Sequence, residues 1–203
     1  MMMIAQRSLQ RAKLGALWLT VRQPTRGTSS WNNSTSSERP SWSEEWKTLG
    51  LGAQLVDSPP ISNLFFVQMG FGVDQHGDNS ATKAAVRAVR NAIEFNSIPG
   101  VVESIGRDKM LIHVKLGVPP TDADADQNAM PVDVFEVAKV FPYGRLLPID
   151  VVVGGLSFHT GRLVPELGDD NDLAVCVAAC VSIGYNNGSS DGTHKVYSTK
   201  DGL

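Results

Sequence analysis

The alternation of apolar and polar residues marks the first strand of this chain. From Phe65 to Val73 every odd-numbered residue is large and apolar, whereas the even-numbered ones are a phenylalanine, a glutamine and two glycines. Because strand side chains alternate between two faces, this period of two predicts a strand with one apolar face. Asp74 and His76 follow it, and a helix is expected to open near Ser80.

The same reasoning predicts two helices and three further strands. Apolar residues recur at helical spacing over 81–95, and a shorter helix fits 132–140. Alternation over 109–118 predicts a second strand that carries His113 and Lys115 on its less apolar face. Strands are also predicted over 147–153 and over 173–183. The last is apolar at both parities, so it should lie in the middle of the sheet.

The element order is strand, helix, strand, helix, strand, strand. It predicts an α+β fold, a two-layer sandwich in which the helices cover one face of a mixed sheet. We expect the other face to carry Phe66, Gln68, His113 and Lys115, a set too mixed for a simple solvent-exposed face. Folds with this order often form rings, commonly trimers, that cover such a face. By this fold-level analogy the protein is expected to be a homo-oligomer, with a trimer as the first choice.

Composition divides the chain into a folded domain at 63–185 and three other segments. Residues 1–37 contain five basic residues before the first acid, Glu38, and many hydroxyl residues, which is typical of an organelle targeting segment. The mitochondrion is the first expectation and the plastid the alternative. A secretory signal is the rival, but no small-residue cleavage site follows its apolar stretch. Residues 38–62 are predicted to be a linker, and the polar, glycine-rich residues 186–203 a disordered tail.

Charge and cysteine content exclude several classes of protein. A net charge of -3 gives no general attraction to nucleic acid. No apolar run approaches the roughly 20 residues that span a bilayer. Cys176 and Cys180 would lie about 13 Å apart on one strand face, beyond the reach of a disulfide. They are expected to be small buried thiols in a reducing compartment.

The pair Asp74 and His76 is the candidate metal site. In an extended chain the two side chains leave from one face, so they can converge on one ion. A carboxylate and an imidazole suit zinc, manganese or iron better than calcium. Two ligands bind weakly, so a third is expected from His113, from His159 or from a neighbouring subunit.

The same stretch is a candidate anion site. Ser80 can cap the helix, whose free N–H groups and dipole attract a phosphate or carboxylate. Gly70, Gly72 and Gly77 lack side chains, so a ligand or a neighbouring backbone can approach closely. Lys83, in the first helical turn, is placed to reach a bound anion.

Two functional classes fit these residues. The first is a metal-assisted enzyme acting on a small anionic metabolite, with Asp74, His76, Lys83 and Lys115 as its catalytic candidates. The second is a non-catalytic, oligomeric ligand-binding or assembly protein that uses the loop as an anion nest or structural turn. A serine hydrolase is disfavoured because no G-x-S-x-G elbow surrounds Ser157.

The octet Gly70-x-Gly72-x-Asp74-x-His76-Gly77 resembles the motif of an uncharacterised family of short bacterial proteins, found with a long N-terminal extension in plants. Four further segments resemble the same family, namely 82–85, 114–119, 154–156 and 165–169. The resemblance covers about 63–185 and implies no assigned activity. A fainter likeness is to methylerythritol cyclodiphosphate synthase, in which Gly-x-Asp-x-His supplies two metal ligands. It implies a metal site and nothing more.

The basic, acid-free N-terminus predicts import followed by cleavage. We expect the mature protein in its organelle to begin near Ser43, because targeting segments are removed after import. N-terminal sequencing of protein isolated from the organelle checks this, and a mature chain that still begins at Met1 would contradict it. Glycans at Asn32, Asn33 or Asn187 would indicate secretion instead.

Overall fold

A computed structural model of the protein describes residues 30–31, 52–75, 79–94, 103–121 and 128–187. Within these ranges the sheet has seven strands, and two α-helices lie wholly inside them. In chain order the elements are β1 Gln54–Leu55, β2 Asn63–Asp74, α1 Thr82–Glu94, β3 Leu111–Val118, α2 Val134–Ala138, β4 Arg145–Leu146, β5 Asp150–Val153, β6 Leu156–His159, a 3-10 turn Pro165–Leu167, and β7 Leu173–Tyr185. The mixed, open sheet with few helices confirms the predicted α+β class.

Strand β7 is the centre of the sheet, as its two apolar faces predict. It pairs antiparallel with β2 on one side and with β3 on the other. Strands β4 and β5 pair in parallel with β3, and β1 extends that edge through β4. Strand β6 pairs with the start of β7. The hydrophobic pattern does not predict β1, β4 or β6, because strands of two to four residues are too short to show a period.

Helix α1 lies directly on β2 because two glycines remove the side chains between them. A Cβ at Gly70 would lie 2.3 Å from the carbonyl oxygen of Ala88, and one at Gly72 would lie 2.2 Å from that of Ala84. The helix answers with alanine at the contact, and Ala84, Ala88 and Ala92 are buried. Of the two uses proposed for these glycines, the approach of a neighbouring backbone is the one seen.

The close helix reverses the expected faces of β2. Its even-numbered residues face α1, whereas the apolar odd-numbered residues lie on the uncovered face and are 42 to 64% exposed; they are Phe65, Val67, Met69, Phe71 and Val73. The prediction that Phe66 and Gln68 share the second face with His113 and Lys115 is therefore wrong. Phe66 packs against the core and Gln68 is buried. Side-chain size alone favours the large odd-numbered residues as the covered face, whereas the helix in fact packs on the smallest residues of the strand.

The outer edge of β2 is covered by polar side chains of α1. Asn91 Oδ1 accepts a hydrogen bond from the backbone N–H of Phe71 at 3.1 Å. Arg87 Nη1 donates to the carbonyl oxygen of Val73. An edge strand exposes unpaired backbone groups, and these two contacts satisfy some of them. The helix therefore protects the edge as well as one face.

Residues before the predicted domain also pack on it. Trp31 is buried and stacks on Phe135, and its indole N–H donates to the carbonyl oxygen of Leu146 at 3.2 Å. Strand β1 lies within the predicted linker and pairs with β4. The structured unit thus includes residues on the N-terminal side of Asn63.

Two further sequence expectations concern membranes and thiols. No helix in the described ranges is long and apolar enough to cross a bilayer. Cys176 and Cys180 are both free on β7, as their spacing on one strand predicts, but they are half-buried and not buried as expected.

Replacing Gly72 with alanine should destabilise the protein. The added methyl group would meet helix backbone at 2.2 Å, so α1 must move, and overpacking of this kind costs about 1–3 kcal/mol. Denaturant unfolding of Gly72→Ala measures the loss. Gly117→Ala is the matched control, because its Cβ would lie 3.5 Å from the nearest atom. Equal unfolding midpoints for the two variants would contradict the packing role of Gly72.

Candidate functional site

Asp74 ends strand β2 with its carboxylate buried beside α1. Its side chain is 5% exposed, and Oδ1 accepts a hydrogen bond from Arg87 Nη1 at 2.7 Å. The even parity of Asp74 directs it to the helix side, and Arg87 reaches it from the second turn of α1. The carboxylate predicted to bind a metal is thus held by a guanidinium. The arginine is half exposed and keeps donors for another partner.

The loop between β6 and β7 meets the end of β2. Gln75 Nε2 donates to the carbonyl oxygen of Arg162 at 2.7 Å and to Asp169 Oδ2 at 3.2 Å. The backbone N–H of Val164 donates to the same Asp169 oxygen at 3.0 Å. Asp169 therefore joins two parts of its own loop to the strand end.

These contacts lie beside an open cleft of about 440 Å³. Both apolar and polar residues line it. The apolar ones are Val73, Phe158, Val164, Leu167 and Ala174, and the polar ones are Asp74, Gln75, Arg87, Thr160, Arg162 and Asp169. Mostly apolar walls with a few polar groups are typical of small-molecule sites, which occupy about 300–1,000 Å³. Among the described residues three polar side chains are buried, and two of them, Asp74 and Asp169, line this cleft.

The charge in the cleft is of both signs. Arg87 is paired with Asp74, whereas the guanidinium of Arg162 makes no ion pair with any described residue. Asp169 is bound by the amide N–H groups of Gln75 and Val164. The cleft therefore offers guanidinium donors beside carboxylates that already have hydrogen-bond donors.

His159 and Asp172 form an exposed pair at the base of the loop. His159 Nδ1 and Asp172 Oδ1 are 2.9 Å apart, and the hydrogen bond from His159 holds the pKa of Asp172 below its ordinary value. Asp172 Oδ2 also accepts from the backbone N–H of Gly161 at 3.2 Å. His159, proposed as a third metal ligand, does not line the cleft; it anchors the loop.

The start of α1 is tied to the segment before α2. Ser80 Oγ accepts from the backbone N–H of Thr82 at 3.2 Å, which is the capping contact that the sequence predicts. The N–H of Ala81 donates to the carbonyl oxygen of Pro131 at 3.0 Å. Two N–H groups that an anion would use therefore have partners within the protein. Lys83 is exposed on the first turn and does not line the cleft.

His113 and Lys115 cannot join Asp74 within one chain, which corrects the proposed metal and catalytic sets. Asp74 pairs with Val175 of β7, whereas His113 pairs with Ser182. Seven strand positions, about 23 Å, separate His113 from Asp74, and five positions, about 17 Å, separate Lys115, which pairs with Cys180. Both odd spacings place these side chains on the sheet face opposite to that of Asp74. His113 Nε2 instead lies 3.1 Å from Asp150 Oδ2.

His76 and Gly77 lie outside the described residues, so the metal ligand and the third glycine of the motif stay predictions. Within the described part of the chain no group of three metal-binding side chains is present. Gly70 and Gly72, proposed to contact an anion, face the backbone of α1.

Arg87, Arg162 and Gln75 were not among the candidate residues of the sequence. Arg87 lies on a charged side of the predicted helix, and Arg162 and Asp169 lie in a loop, so no local pattern distinguishes them from other surface residues. One signal could have found Gln75 and Asp169, because residues 70–77 and 165–169 both resemble motifs of one family. Two motif segments far apart in sequence are expected to meet at a site, and here they meet at the cleft.

The family model of a conserved hypothetical protein family, Lin0512_fam, matches residues 64–183. This chain belongs to that family. The resemblance to an uncharacterised family is thereby confirmed. The match begins within β2 and ends within β7, so it includes every residue that lines the cleft.

A solved structure supports the same fold. The crystal structure of an FtsZ-like protein of unknown function from Nostoc punctiforme is 38% identical to this chain. It covers 63% of this chain and 100% of its own, with a TM-score of 0.51. A comparison with curated proteins gives no match.

Removing the Asp169 carboxylate should loosen the loop. In Asp169→Ala the backbone N–H of Val164 loses its acceptor, so its hydrogen exchange should accelerate about tenfold or more. Asp170→Ala, at an exposed carboxylate next to it, is the matched control. Unchanged protection of Val164 in Asp169→Ala would show that Asp169 does not hold the loop.

Proposed function

We propose that this protein binds a small anionic metabolite, with a carboxylate or a phosphate group, in the cleft at the end of β2. The observation that carries the proposal is the pair Arg87 and Arg162, which line an open, partly apolar cleft. Guanidinium groups bind carboxylate and phosphate oxygens through two parallel N–H donors. The cleft volume suits a metabolite and not a polymer.

The roles of the lining residues follow from their contacts. Arg162 faces the cleft without an ion-pair partner among the described residues, so it is the group that would neutralise the ligand. Arg87 would add a donor while Asp74 fixes its position at 2.7 Å. Val73, Phe158 and Leu167 would contact the apolar part of the ligand. Asp169 keeps the loop in place through Gln75 and Val164.

A metal-assisted reaction on that anion is the second candidate. It is favoured by Asp74 and Asp169, two buried carboxylates on one cleft wall, and by His76, which follows Asp74 by two residues in the sequence. Asp74 and His76 would hold the ion, and Asp169 or a neighbouring subunit would replace the excluded His113. A zinc or manganese ion would polarise an oxygen of the ligand. The basic N-terminus supports action in an organelle, the mitochondrion first.

Anion binding can be tested by thermal unfolding of the full-length chain. Inorganic phosphate, pyrophosphate and a small dicarboxylate at millimolar concentration are the probes, and at least one should raise the unfolding temperature by a few degrees. Calorimetry should show affinity about tenfold weaker or worse in Arg162→Ala, because a charged hydrogen bond is lost. Arg90→Ala, an exposed arginine on α1 outside the cleft, is the matched control.

Two results would count against this site. If none of the three anions changes the unfolding temperature, the cleft does not bind this class of ligand. If Arg162→Ala and Arg90→Ala weaken binding equally, the effect is one of overall charge.

The metal candidate has its own measurement. Wild type purified without chelator and offered zinc or manganese should hold about one ion per chain by elemental analysis, and His76→Ala should lose it with an unchanged circular dichroism spectrum. If the wild type holds no metal, the proposal of a metal-assisted reaction is wrong, and the proposal of anion binding is unaffected. An unfolded His76→Ala would show that the histidine is structural.

A further inference from the structure

The sheet face opposite α1 is a broad apolar surface, which we call the open face. Its rows run across paired strands. One row joins Phe71 of β2, Ala178 of β7, Gly117 of β3 and Val152 of β5. Phe71 is 59% exposed and Val152 41% exposed, with small residues between them. A face built in this way is flat in the middle and apolar throughout the row.

The neighbouring row continues the apolar surface toward the cleft. It joins Val73 of β2, Cys176 of β7 and Leu156 of β6. Phe158 lies two residues further along β6 and is also exposed. On the other side of the Phe71 row, Met69 is 64% exposed and pairs with Cys180.

Charged groups on the open face are confined to one end. Lys115 pairs with Cys180 in the Met69 row, and His113 pairs with Ser182 in the next. His113 Nε2 lies 3.1 Å from Asp150 Oδ2, so His113 and Asp150 are paired with each other. The apolar rows at the other end therefore meet water without compensating polar contacts.

The size of the open face is that of a protein interface. Eight large apolar side chains on it are each about half exposed, which amounts to roughly 600 Å² if a large side chain offers about 150 Å². The largest patch on a typical monomer is about 300–600 Å². With the small residues between the rows the face approaches the roughly 800 Å² that each partner buries in a stable complex.

The described residues that precede β2 lie away from the open face. Trp31 packs on Phe135 and Leu146, which belong to the core on the helix side. Strand β1 joins the sheet through β4, at the edge opposite β2. Residues 188–203 are mostly glycine, serine, threonine and charged residues, a composition that does not match an apolar surface. A second copy of the chain supplies an apolar face of the required size.

We infer that the open face is the interface through which two or more copies of this chain assemble. The Phe71 and Val73 rows form its centre, where apolar side chains of both copies lose their contact with water. Lys115, His113 and Asp150 lie at its rim. Val73 and Phe158 belong both to the open face and to the cleft wall, so the second copy would lie beside the mouth of the cleft.

Sedimentation velocity and light scattering on the full-length chain test the inference. At about 10 µM the wild type should have a mass of two or more chains. Phe71→Glu should have the mass of one chain, because a charge would be buried at the interface. Its dissociation constant should be at least tenfold larger than that of the wild type. The side chain is exposed in the single chain, so its circular dichroism spectrum should not change.

Three variants make the result specific. Phe71→Leu keeps an apolar side chain and should stay assembled. Arg90→Glu places the same glutamate side chain on the far side of α1, with a larger change of net charge, and should also stay assembled. Leu156→Glu, on the other flank of the open face, should dissociate like Phe71→Glu. A wild type with the mass of one chain, or a Phe71→Glu variant that stays fully assembled, would overturn the inference. Assembly is measured without an anion, so this outcome is independent of the proposed function.

Discussion

The backbone contact between α1 and β2 is the constraint on which the rest of this structure depends. Gly70 and Gly72 bring the strand so close to the helix that no side chain fits between them, and alanines meet them from the helix. Burial of the whole alanine face follows from that contact. The same closeness lets Arg87 and Asn91 reach the edge of β2, where they bind Asp74, the Val73 carbonyl and the Phe71 amide. Packing and site geometry are thus set by one pair of residues.

The cleft depends on a second junction, between the end of β2 and the loop before β7. Its members are Gln75, Arg162 and Asp169, and one buried carboxylate joins the strand end to the loop. Because Asp169 is buried and already bound by N–H donors, it acts as a fixed part of the wall. The arginines remain to meet a ligand. A rigid wall with free guanidinium donors is suited to binding a small anion with little reorganisation.

The open face and the cleft are physically connected. Helix α1 covers the glycine side of β2, so the large apolar residues of the strand are left on the other side. In an isolated chain this arrangement leaves apolar surface in contact with water, at a free-energy cost of roughly 25 cal/mol per Å². The second copy that we infer on the open face would remove this surface from water. The rows that would be buried run up to Val73 and Phe158, so assembly and ligand access concern neighbouring atoms.

The sequence by itself determined the α+β class, the order of the main elements and the central place of β7, because these depend on local periodicity and on apolar content. The resemblance of residues 70–77 to a family motif also pointed to the end of β2, beside which the cleft lies. Only the tertiary structure decided which face of β2 is covered, because a helix selects small residues and a period of two does not name its partner. The tertiary structure also separated His113 from Asp74 and brought Arg162 and Asp169 to Gln75 at the end of β2. Strand register and loop closure decide these distances, and both depend on contacts between distant parts of the chain.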